Sequence, residues 1–150
     1  MKKTLNVGQG LVVFLLFFVL SQFSFSANAQ DCERGVIEMC KAFNNMAVEI
    51  DKCNSLENID NLNFDNAINA TDLNQIPDEC ENYNLTKKDK NLLKDSVNNF
   101  INSMVNKLSS LTGLDKEDCK NQFSSMKTQI YNCIDSSVTL GELMEKMANI

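Results

Sequence analysis

The sequence predicts an all-α fold, a small disulfide-stapled helical bundle of four or five helices. Three observations predict it. Apolar residues recur at three- and four-residue steps through most of the chain, and no stretch alternates with the two-residue period of a strand. Six cysteines follow a segment that reads as an export leader. The single proline, Pro77, falls between the helical stretches and interrupts none of them.

Residues 1–29 read as a signal peptide: a basic start at Lys2 and Lys3, an apolar run from Leu11 to Leu20, and the small residues of Ala27-Asn28-Ala29 for cleavage. The run is too short to span a bilayer. The expected product is residues 30–150, one secreted six-cysteine domain. Of 14 basic and 20 acidic residues, two lysines leave with the leader, so 12 oppose 20 and the net charge falls to −8. That balance argues against nucleic acid or an anionic membrane as partner. No later segment is apolar enough for membrane insertion.

The first helix is predicted from Val36 onward, where Val36, Cys40, Phe43, Ala47 and Ile50 share one stripe. From Asn54 to Glu79 the chain is crowded with Asn and Asp yet carries Leu56, Ile59, Leu62, Phe64, Ile68, Leu73 and Ile76. It reads as a long folded loop or a set of short helical turns. The central helix spans Thr86 to about Leu111, with Leu93, Val97, Phe100, Met104, Leu108 and Leu111 as its stripe, widened by Leu92, Ile101 and Val105. Thr86 with Asp89 resembles a capping box, and Gly113 suits a C-terminal stop. A further helix starts at Asp115 and places Cys119, Phe123, Met126, Ile130 and Cys133 together. Its acidic first turn, with Glu117 and Asp118, complements the helix dipole. The last helix opens with the capping box Thr139-Leu140-Gly141-Glu142 and groups Leu140, Leu143, Met144 and Met147.

An even count of cysteines behind a leader implies three disulfides among Cys32, Cys40, Cys53, Cys80, Cys119 and Cys133. The gaps of 7, 12, 26, 38 and 13 residues contain no Cys-x-x-Cys and match no zinc spacing. Helix geometry suggests a bond from Cys53 to Cys80, with Cys32 and Cys40 engaging Cys119 and Cys133.

There is no histidine anywhere, which excludes imidazole bases, Ser-His-Asp and Cys-His nucleophiles and His-ligated zinc. Asn61 to Asp72 can be laid over a calcium-loop template, but only Asp65 and Asp72 are charged and the turn glycine is missing. No catalytic, cofactor-binding or metal-binding residue is therefore assigned, and the chain is read as a non-enzyme. Asn69-Ala70-Thr71 and Asn84-Leu85-Thr86 are acceptor sequences for N-glycosylation in a eukaryotic secretory pathway.

Two functions fit. The leading one is a secreted protein that binds another extracellular macromolecule, because catalytic groups are lacking, the surface is acidic and a long loop offers specificity. The alternative is an extracellular carrier of a small, lipid-like apolar ligand, held in a helix-lined cavity at Phe100, Met104 and Met126.

Overall fold

The computed structural model describes residues 29–150, so the leader assigned to residues 1–29 lies, but for Ala29, outside the described residues. Among these, helices α1 (Ala29–Lys52), α2 (Leu56–Asp60) and α3 (Asp65–Asn69) are followed by 3-10 turns at Leu73–Gln75 and Asp78–Asn82. Helices α4 (Lys87–Thr112), α5 (Lys116–Ser136) and α6 (Leu140–Ala148) complete the chain. An isolated antiparallel bridge pairs Asn84 with Thr139, and no strand is found among the described residues. The predicted all-α bundle is thus the observed one. Its long loop resolves into two short helices and two 3-10 turns.

Local chemistry sets the helix ends. The Thr86 hydroxyl accepts the Asp89 N–H at 3.1 Å, and the Asp89 carboxylate accepts the Thr86 N–H at 2.8 Å, closing the predicted box at the start of α4. At its other end Gly113 takes φ 71°, the left-handed conformation in which a Cβ is costly. Asp115 stands one position earlier than the first turn and caps α5 by accepting the Glu117 N–H at 2.7 Å. Thr139 caps α6, and the Glu142 carboxylate reaches back to the Val138 N–H at 2.7 Å. That backbone hydrogen bond, then one from Thr139, holds the Glu142 carboxyl below the ordinary range.

Three cross-helix contacts fix how α1 and α4 lie. Lys88 pairs with Glu33, Asn99 donates to Asn44, and the Lys107 ammonium donates to the Asp51 carbonyl, at separations of 55, 55 and 56 residues. A constant offset means the two helices run parallel. Helix α5 runs antiparallel to α4: the Tyr131 hydroxyl donates to the Lys94 carbonyl, Lys127 to Asn98, and Lys94 pairs with Asp135. Parallel neighbours require a connection that returns along the full length of the first helix. Residues 53–86 are that connection, and the apolar residues scattered through it become core: Ile59, Phe64, Ala67, Ile68, Leu73, Ile76 and Cys80 are all buried.

The crossover is fastened by buried polar groups. Glu38 of α1, 3% exposed, accepts the Asp72 N–H at 3.0 Å and pairs with Lys41. Asn45 donates to the Ala67 carbonyl at 3.0 Å. Asp89, 1% exposed, accepts from the Tyr83 hydroxyl as well as from Thr86. Burial, and then the hydrogen bond to Asp89, push the Tyr83 phenol up to about 12. Every buried side-chain polar atom among the described residues has a partner.

One disulfide is present, and it differs from the expected pairing. Cys32 is bonded to Cys80 with Cα atoms 5.2 Å apart, while Cys40, Cys53, Cys119 and Cys133 are free thiols. A bond from Cys53 to Cys80 is ruled out by the crossover: about 30 Å of helix separates Cys32 from the end of α1, and Cys80 has returned to the Cys32 end. Pairing of Cys32 and Cys40 with α5 fails for a similar reason. Cys32 is already bonded, Cys40 lies beside Ser96 of α4, and Cys119 and Cys133 lie at opposite ends of α5, roughly 21 Å apart along the helix.

Helix α6 sits close on the second 3-10 turn. A Cβ placed on Gly141 would stand 2.9 Å from the Glu81 carbonyl oxygen, a backbone atom with little room to yield. Gly141→Ala is expected to lower stability by about 1–3 kcal/mol in urea unfolding despite its better helix propensity. Gly35→Ala is the control, because its nearest neighbour is the Ile76 side chain at 3.0 Å, which can turn aside. Equal effects from both variants would contradict the assigned cause.

Candidate functional site

The parallel register of α1 and α4 places like positions of the two helices side by side along one exposed face. Glu33, Ile37, Asn44, Val48 and Asp51 fall within about 60° of one another on α1. Their offset partners on α4 include Lys88, Leu92 and Asn99. Ile37 and Leu92 are level with each other by the same 55-residue step. Ile37 is 41% exposed, Val48 52% and Leu92 37%. The face is therefore mixed: Ile37 and Leu92 stand side by side, the Asn44–Asn99 pair follows and Val48 comes last, with the Glu33–Lys88 ion pair at 3.1 Å closing one end and Lys107 on Asp51 the other. Leu92, expected to widen the buried stripe, lies instead on this edge, while Ile101 and Val105 are buried as expected. Periodicity alone singled out neither Ile37 nor Val48. Their eleven-residue spacing, three helical turns, is the signal that could have found them.

The residues expected to line an apolar cavity lie in the core and against it. Phe100 is buried at the centre of the core, tilted against Phe43 of α1 at 6.1 Å and edge-on to Phe64 of the crossover at 6.3 Å between ring centroids. Met104, one turn on, is also buried, and Met126 packs half-buried against the same core from α5.

The surface clefts among the described residues include two. One, open and about 580 Å³, lies between α5 and α6 and is lined by Gln129, Asn132, Cys133, Glu145, Lys146 and Ile150 among others. Lys146 also donates to the Ser136 carbonyl at 2.9 Å, a cation at the C-terminal end of α5. The other cleft, about 50 Å³, lies where the first 3-10 turn meets α1 and is spanned by the Arg34–Asp72 ion pair. Neither cleft is lined by Phe100, Met104 or Met126.

The segment Asn61–Asp72 does not wrap a common centre. Residues 65–69 form α3, the Asn63 side chain accepts the Asp65 N–H, and the Asp72 carboxylate pairs with Arg34. Among the described residues no group of three or more Cys, Asp or Glu is placed to hold a metal ion, and no helix is long and apolar enough to cross a membrane. Asn69 ends α3 and Asn84 lies on the bridge to Thr139, both exposed.

Burial raises the pKa of all four free thiols. The Ser96 hydroxyl opposes it at Cys40, Lys107 at Cys53 and Lys146 at Cys133. At Cys119 the carboxylates of Asp118 and Asp115 raise it further. Thiol rather than thiolate therefore predominates at neutral pH, and three of the four are shielded from solvent. An aromatic-disulfide titration is expected to find four thiols in denaturant and no more than one, Cys133, reacting promptly in the native protein. Two thiols or none in denaturant would contradict the single-disulfide arrangement.

The class that fold and site define is an all-α domain, with six helices among the described residues, one buried disulfide and a partly apolar two-helix face. Comparison with protein-family models, with curated proteins and with solved structures finds no match to this chain.

Proposed function

We propose that the protein is an exported, non-enzymatic binder of another macromolecule, and that the α1–α4 face makes the contact. The observation that carries this reading is the strip of Ile37, Leu92 and Val48, exposed on two helices held rigidly in register. Interfaces gain most from apolar side chains at their centre with polar groups around them, and the strip is bounded by Glu33, Lys88, Asp51 and Lys107. Three of those four are already held by each other or by backbone, so the rim is ordered before any partner arrives. The lack of histidine and the dispersal of the carboxylates into caps and ion pairs support a non-enzymatic role. The carrier alternative calls for a closed apolar chamber beside Phe100, Met104 and Met126, where the rings of Phe43 and Phe64 stand.

The test is crosslinking capture from the fluid in which the protein naturally occurs, using the wild type, an Ile37→Glu/Val48→Glu variant and a Leu114→Lys control away from the strip. Capture of one macromolecular partner by the wild type and the control, lost in the double variant, is the expected result. Capture that is indifferent to the strip, or organic extraction of one small apolar molecule per chain, overturns the proposal.

A further inference from the structure

We propose that Asn84 carries an N-linked glycan and that Asn69 does not. The inference rests on the reading that the chain is exported. Both residues head an acceptor triplet, yet the fold presents them differently. Asn84 lies on extended backbone: the Leu85 N–H donates to the Val138 carbonyl and the Leu140 N–H to the Tyr83 carbonyl, each at 2.9 Å, bracketing the Asn84–Thr139 pair. Side chains alternate along extended chain. Tyr83 and Leu85 both pack against the core, so the Asn84 side chain projects the other way, into solvent. Thr86, two residues on, is exposed, and its hydroxyl is engaged only by Asp89 within the first turn of α4.

Asn69 is the last residue of α3, so its triplet leaves a helix instead of lying extended. Its threonine, Thr71, is 8% exposed, and the hydroxyl donates to the Ile68 carbonyl at 2.6 Å inside the crossover. Both threonine hydroxyls are bonded within the chain, so exposure and backbone form separate the triplets: Asn84 and Thr86 are both exposed beside extended backbone, whereas Thr71 is buried at the end of a helix. The reagent is an oligosaccharide carried on a polyprenyl diphosphate. The Asn84 amide nitrogen attacks the anomeric carbon and forms the C–N bond. The carbon–oxygen bond to the diphosphate breaks, the polyprenyl diphosphate leaves with the electron pair, and the amide gives up one proton.

The full chain is expressed in an insect-cell secretory host as wild type, Asn84→Gln and Asn69→Gln, and the secreted product is weighed intact before and after peptide N-glycosidase. The expected result is one glycan on the wild type and on Asn69→Gln, and none on Asn84→Gln. A bare wild type, or a glycan that survives Asn84→Gln and is lost in Asn69→Gln, overturns the proposal. N-terminal sequencing separates the two readings. A secreted product beginning near Gln30 but bare defeats the glycan alone, whereas a retained chain with its leader intact defeats export as well.

Discussion

Breaking the Cys32–Cys80 bond is expected to remove about 4 kcal/mol of stability. The bond closes 48 residues, and the loop-entropy relation puts the constraint it places on the unfolded chain at about that size. The loop holds nearly all of α1 and most of the crossover, so without the bond the unfolded ensemble gains freedom in the segment that must travel furthest to fold. Small domains are stable by roughly 5–15 kcal/mol in total, which makes this one bond about a quarter of the margin or more. Both sulfur atoms are buried, Cys80 completely, so a Cys32→Ser/Cys80→Ser variant also leaves two hydroxyls in apolar surroundings. Reductant acting on the wild type avoids that second effect and is the cleaner measurement, because no other disulfide is present to be reduced. Guanidinium unfolding with and without reductant should differ by the stated amount. A difference under about 1 kcal/mol would mean that the crossover stays closed in the unfolded state by other means.

Phe100→Ala is expected to cost about 3–5 kcal/mol, the usual range for deleting a buried ring from a core that only partly collapses. The Phe100 ring touches both α1, through Phe43, and the crossover, through Phe64. Its removal loosens three chain segments at once, and the edge-on contact with Phe64 is lost along with buried area. Phe100→Leu keeps most of the volume and should cost clearly less. The alanine variant carries a second expectation. A cavity of ring size lined by apolar groups stays dry and takes up small apolar molecules, so the variant should bind benzene or xenon and gain stability from it, while the wild type does neither. Stoichiometric uptake by the wild type would show that the centre is open, which would favour the carrier over the binder.

The residues explain why some of the fold was legible and some was not. Helix ends at Thr86, Gly113 and Thr139 could be read because a cap is a contact between residues three or four apart, and the chemistry is complete in the local sequence. The short helices α2 and α3 were harder. Phe64 precedes α3 without any side-chain cap, and the Asn-rich stretch advertises turns as readily as helix. Cysteine pairing depended on a relation that no local pattern carries, the parallel course of α1 and α4, fixed by contacts 55 residues apart. Once that course is known, Cys80 must lie near Cys32, and Cys53 must lie far from both. The same relation hid the candidate face. Ile37 and Leu92 look like stray apolar residues until the register sets them side by side, with Val48 three turns further along the same face. Phe100 and Met104 show the limit of periodicity from the other side: a stripe reveals which face is buried, not how tightly the groups opposite it fill the space.

The parallel pairing of α1 with α4 has a kinetic consequence. Most small helical proteins fold quickly because neighbouring helices are joined by short turns and meet early. Here the principal helix pair cannot meet until the chain between them has doubled back, so its contacts are as distant in sequence as those of many mixed α/β domains. Although its secondary structure is that of a fast folder, its topology sets the pace of a slower one, on the order of milliseconds rather than microseconds. The Cys32–Cys80 bond, by holding the far end of the crossover against the start of α1, shortens that search each time the oxidised protein refolds.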